Sequence, residues 1–178
     1  MIFPGPWQAV ENMPIWQAIE NLPLSQYIAA STWAFPTFET IHVIAIVTVV
    51  GSIAIMDLRL LGVASQESAV TEMSRDTLPW TWGAFVLAMI TGSLLFISKA
   101  TTYIVNPFFV GKMFLILIAG INMGIFHLFT WRTVKHWDQG SAAPLGGKIA
   151  GAVSLGFWVI VVFVARAIGF TLDKFSTN

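Results

Sequence analysis

An apolar run from Pro36 to Leu61, within the stretch FPTFETIHVIAIVTVVGSIAIMDLRLL, limits what this chain can fold into. About 20 helical residues cross a hydrocarbon core of roughly 30 Å. Charge inside such a helix is costly and points to function. This run nevertheless carries Glu39 and His42 near one end and Asp57 and Arg59 near the other. Three more apolar runs follow, so the expected spans are about 36–58, 79–98, 107–131 and 148–171. The composition fits lipid as the solvent: 56% of residues are hydrophobic and 10% charged, against about 25% charged in a soluble domain. The expected fold is therefore all-α, an integral membrane four-helix bundle over residues 31–178. An interfacial, amphipathic segment over residues 1–30 precedes it.

Several functions are excluded. The formal net charge is zero, which gives nucleic acid no electrostatic footprint. The chain has no cysteine, which rules out disulfides, cysteine-ligated clusters and covalently attached haem. The opening MIFPGPWQAVENMP has neither a basic n-region nor an apolar h-region, so it does not read as a secretory signal. A short tandem follows, WQAVENMP at Trp7–Pro14 and WQAIENLP at Trp16–Pro23. Trp7 and Trp16 suit the headgroup layer. The tandem reads either as a local duplication or as a docking segment for a partner.

Pro36, Pro79 and Pro107 each stand where a helix is expected to start, because a missing N–H costs little there. Gly62, Gly140 and the Gly146–Gly147 pair mark exits or entries. Arg59 and Arg75 follow the first span, and Arg132, Lys135 and Lys148 lie between the third and fourth. The positive-inside rule then puts these loops in the cytoplasm and both termini in the periplasm. Gly120–Gly124 and Gly147–Gly151 have the GxxxG spacing that lets backbones approach in lipid. Packing within the chain is the simpler use of it, and oligomer formation the other.

The intramembrane polar residues sort into two levels. Glu39, His42, Lys112 and Arg166 form an outer one; Asp57, Arg59, His127 and Arg132 an inner one. At a rise of about 1.5 Å per residue, His42 and His127 lie on the order of 20 Å apart along the bundle, too far to ligate one metal within a chain. Neutral imidazole ligates haem iron, and Lys or Arg offsets the propionates. His42 and His127 are thus the candidate metal ligands. Lys112, Arg166, Glu39 and Asn122 complete the candidate cofactor-binding set, and no catalytic residue stands out. Two bis-histidine haems would need four histidines, and the chain has three. A haem b here must be five-coordinate, use another ligand or sit between protomers. Structural roles compete: Glu39 paired with Lys112 or Arg166, Asp57 and Arg59 snorkelling at a helix end, His127 bonded to a backbone carbonyl or to Asn122. Asp57, Arg59 and Arg132 are read as structural polar residues, His136 as an exposed loop residue, and the methionines as packing.

The runs STWAFPTFETIHVIAIVTVVGSIAIMDLRLLG (31–62), WGAFVLAMITGSLLFIS (82–98), NPFFVGKMFLILIAGINMGIFH (106–127) and FWVIVVFVARAIGF (157–170) resemble a family of small bacterial four-span inner-membrane proteins of unknown function. Glu39-x-x-His42, Asp57-Leu-Arg-Leu-Leu-Gly62 and Lys112 with Asn122 and His127 carry the likeness. The first run is also similar, more distantly, to the histidine-bearing first helix of copper-resistance D-type and b-type cytochrome membrane domains. The resemblance implies four helices in a bacterial cytoplasmic membrane and brings no activity. The leading expectation is a haem-b-binding electron-transfer protein working with quinone or a redox protein. A non-catalytic accessory or scaffold subunit of a larger membrane complex comes second; the partners expected are the lipid bilayer and either further copies of the chain or such a complex. Passage of a small molecule, ion or proton comes third. Whether the chain is itself an enzyme stays open.

Overall fold

A computed structural model describes residue 10, residues 13–138 and residues 142–175. The first tandem copy beginning at Trp7 lies largely outside these residues, as does Gly140. The described chain is helical throughout. Two short helices, α1 (Pro14–Glu20) and α2 (Pro23–Ala30), precede the long α3 (Ala34–Leu61). There follow α4 (Val70–Ser98), the short α5 (Ala100–Val105), α6 (Pro107–Ile125) and α7 (Leu145–Phe175). Between α6 and α7 the chain winds through a π-helical turn, Phe126–Thr130, and a 3₁₀ segment, Trp131–His136. Four helical stretches are long and apolar enough to cross a membrane: Ala34–Leu61, Val70–Ser98, Pro107–His136 and Leu145–Leu172. The chain is an all-α four-helix membrane protein.

One expected start is corrected. Pro107 opens α6 as its first residue and Pro36 is the third residue of α3, but Pro79 lies inside α4. The helix begins at Val70, well before that proline. The extra turns carry Glu72, Arg75 and Asp76, of which Arg75 and Asp76 meet as an exposed ion pair at 3.7 Å. Pro79 has no N–H to give the Arg75 carbonyl. Thr77 and Thr81 hydroxyls donate instead to carbonyls one turn back, at Met73 and Thr77.

The chain divides into two compact units. The first comprises residues 1–44, 87–113 and 163–178. Its centre is aromatic: Phe96 stacks on Phe109 at 5.4 Å, and Tyr103 leans on Phe109 at 5.3 Å. Trp16 meets Phe96 edge-on. Burial and the charge of nearby Glu39 push the Tyr103 phenol up to about 12. The Glu20 carboxylate accepts from the Thr101 N–H at 2.9 Å and its hydroxyl at 2.8 Å, so the second tandem copy caps α5. Asn106, with no exposed surface, caps α6 through the Phe108 N–H and donates to Thr171.

The second unit comprises residues 45–86 and 114–162. Two apolar clusters fill it: one around Leu60, Val70, Phe126 and Trp137, the other around Val49, Ala119, Trp158 and Val161. Gly151 brings α7 against α3; a Cβ there would lie 3.1 Å from the Asp57 carbonyl oxygen. Gly147 faces Thr130 and Ala143 in the same way. This GxxxG pair works within the chain, whereas Gly120 and Gly124 have nothing within 4 Å of the corresponding point.

Candidate functional site

In the first unit His42 is half-buried, its ring lying on the backbone of α4. The bare Gly92 makes room for it: a Cβ there would sit 2.9 Å from His42 Cε1. His42 Nδ1 stands 3.0 Å from Thr91 Oγ1. The Thr91 hydroxyl also lies 2.8 Å from the Leu87 carbonyl. With its hydrogen on that carbonyl it accepts from His42 Nδ1–H, and the lone pair of the neutral ring then belongs to Nε2.

The cations of this unit contact rings rather than carboxylates. Lys112 Nζ lies 5.2 Å from the centroid of Phe109, and the Arg166 guanidinium 4.6 Å from that of Phe170. The charge of Lys112 is felt at the His42 ring. Glu39 is exposed, and among the described residues no ion pair joins it to Lys112 or Arg166. Sharing a helix face, Glu39 and His42 still make no hydrogen bond with each other.

The second unit holds a cavity of about 200 Å³, lined from all four spanning stretches. Asp57 of α3, Asn122 of α6, His127 of the π-helical turn and Ser154 of α7 supply polar groups; Trp82, Trp131 and Trp158 are among its aromatic walls. Asp57 is 5% exposed, and its Oδ2 has no hydrogen-bond partner among the described residues. Ser154 is the polar side chain beside its carboxyl. Asn122 donates to the Ala150 carbonyl at 3.0 Å, not to His127.

His127 Nδ1 lies 2.9 Å from the Met123 carbonyl oxygen. A carbonyl only accepts, so here too the proton is on Nδ1 and the lone pair on Nε2. The ring is stacked on Trp131 with centroids 5.6 Å apart. It stands on a π-helical turn, a departure from α-geometry that recurs at functional sites.

Asp57 and Arg59 do not snorkel, contrary to the sequence-based alternative. Arg59 is 1% exposed; Nε donates to the Ser68 carbonyl at 3.1 Å and Nη2 to the Asp138 carbonyl at 3.4 Å. Asp138, which the sequence did not single out, caps α4 from a distance. Its carboxylate accepts from the Thr71 N–H at 2.8 Å and the Thr71 hydroxyl at 2.6 Å. These bonds hold the Asp138 carboxyl below its ordinary range. Arg59 is thus held by backbone carbonyls of the loop segments at Ser68 and Asp138. Arg132 and His136 are exposed on the 3₁₀ segment, and His136 Nδ1 faces the Thr133 carbonyl at 3.3 Å. Among the described residues no three His, Asp or Glu side chains gather as a metal cluster. His42 and His127 fall in different units.

The chain belongs to a family of unknown function, DUF6644, whose pattern matches residues 24–171. No curated protein and no solved structure matches it.

Proposed function

We propose that this member of the DUF6644 family is a membrane electron-transfer protein that holds haem b through His42. The observation that carries the reading is the anchoring of Nδ1 in both intramembrane histidines. Nδ1 lies against an oxygen, Thr91 Oγ1 for His42 and the Met123 carbonyl for His127, which suits Nε2 as the ligating nitrogen. That arrangement orients a ligating imidazole and raises its basicity. The cations of the same unit as His42 also suit the group. Lys112 and Arg166 are cations without a carboxylate partner among the described residues, suited to offset two propionates. A bound haem would supply reversible one-electron chemistry at its iron. The chain's part is to hold the iron at Nε2, neutralise the propionates and keep water from the ring through the apolar packing of α3 and α4.

We place the protein in a bacterial cytoplasmic membrane with both termini in the periplasm, on the strength of the Lys and Arg distribution. Quinone or a redox protein would exchange electrons with it, as a homo-oligomer or within a larger complex. In the second tandem copy, Trp16 and Glu20 are engaged within the chain.

A reduced-minus-oxidised spectrum of protein expressed with ample haem tests the proposal. A sharp α-band, lost in His42→Ala and retained in His136→Ala, is the expected result. A featureless spectrum from folded, haem-supplied protein overturns it.

A further inference from the structure

We infer that the cavity of the second unit binds the ring of a lipid-soluble hydroquinone, with Asp57 accepting one ring hydroxyl. The inference gives the quinone partner of the proposed function a place, and it rests on that reading for its physiological sense alone. Its geometry is independent of His42.

Three observations support it. The first is the orphaned carboxylate oxygen. A polar atom with no partner at 5% residue exposure is costly to keep. A ligand O–H removes that cost, whereas an acyl chain leaves it in place. The second is the wall chemistry. Trp82, Trp131, Trp158, Phe85 and Phe126 are among the lining residues, with small hydroxyl side chains such as Ser52 and Thr81 between them. Such a lining takes an aromatic ring by stacking and leaves orientation to a few hydrogen bonds. The third is size. At about 200 Å³ the space is below the roughly 300–1,000 Å³ of pockets for drug-sized ligands. One substituted six-membered ring suits a space of this size.

His127 supplies the second polar contact. Its Nδ1–H is held by Met123, so Nε2 can accept from the other hydroxyl of the ring. Both ring hydroxyls are then donors to fixed acceptors. The dimethyl ether of the same ring has the same shape and no donor, and it would leave Asp57 Oδ2 unsatisfied.

The test uses the full chain in nanodiscs, with empty nanodiscs as the blank for partitioning. Equilibrium binding is measured for tetramethylhydroquinone and for its dimethyl ether. The hydroquinone is expected to bind at least tenfold more tightly, the effect of about one hydrogen bond to a charged group. Asp57→Leu should lower that ratio most while ring binding persists, His127→Leu should lower it less, and the two together should bring it to near one. If Asp57→Leu fails to fold, the hydroquinone-to-ether ratio of the unaltered protein still decides. Equal affinities, as for a pocket that merely takes acyl chains, overturn the inference. So does the absence of saturable binding. His42→Ala, which removes the proposed haem ligand, should leave the ratio unchanged, and that separates the two readings.

Discussion

At the scale of single residues, the decisive positions are those where an absent side chain or an absent partner defines the chemistry. Gly92 is the first. A methyl group there would meet the His42 ring at 2.9 Å and dislodge it from Thr91. Gly92→Ala should therefore destabilise the protein by about 1–3 kcal/mol, as overpacking does, and shift or abolish the α-band. Gly124→Ala meets nothing within 4 Å and should be neutral or slightly stabilising, by up to about 1 kcal/mol of helix propensity. Thermal unfolding of the two variants side by side gives the comparison. The spacing of Glu39 and His42 put them on one helix face and said nothing of contact. What fixes His42 is a threonine and a glycine 49 and 50 residues away, which no local pattern reveals. The burial of Asp57 and Arg59 was hidden for the same reason. Their neighbours are a distant serine and backbone carbonyls at Ser68 and Asp138.

At the scale of elements, hydropathy located the four spans and missed where one of them begins. Residues 70–78 hold Glu72, Arg75 and Asp76, so an apolar window stops at Pro79. The backbone continues as helix because its start is capped from elsewhere in the chain. Asp138 supplies three acceptors to Val70 and Thr71. An anionic cap also suits the positive end of the helix dipole. Removing it by Asp138→Ala should cost about 0.5–2 kcal/mol, the usual value of a cap. The sign of the pH effect follows from the lowered carboxyl. The cap's contribution is full above the ordinary Asp value of 3.8 and is lost as pH falls through the still lower folded-state value. The difference in stability between the parent and Asp138→Ala should therefore hold constant from neutral pH down to mild acid, then shrink. A denaturant titration across that range checks it.

At the scale of the whole molecule, the composition alone required lipid and four helices, while the second unit's cavity was not legible. Its lining comes from positions spread over residues 49–158, and its polar groups are scattered over all four spanning stretches. The two clasps of the structure, Glu20 on Thr101 and Asp138 on Thr71, join segments 81 and 67 residues apart. Synthesis runs from the N-terminus, so these clasps become possible at different moments. The first needs only the two leading spans to have emerged; the second must wait for the third span and the loop behind it. The protein thus carries a timetable for its own insertion. Chains truncated near residue 130, held on the ribosome by a C-terminal tether long enough to span the exit tunnel, and carrying both Glu20→Cys and Thr101→Cys should form the crosslink between those two positions. Chains of the same length carrying Thr71→Cys should stay uncrosslinked, because position 138 has not yet been made. The natural chain has no cysteine, so such substitutions report without background. Absence of the first crosslink at that length would show that the order is set by something other than the chain.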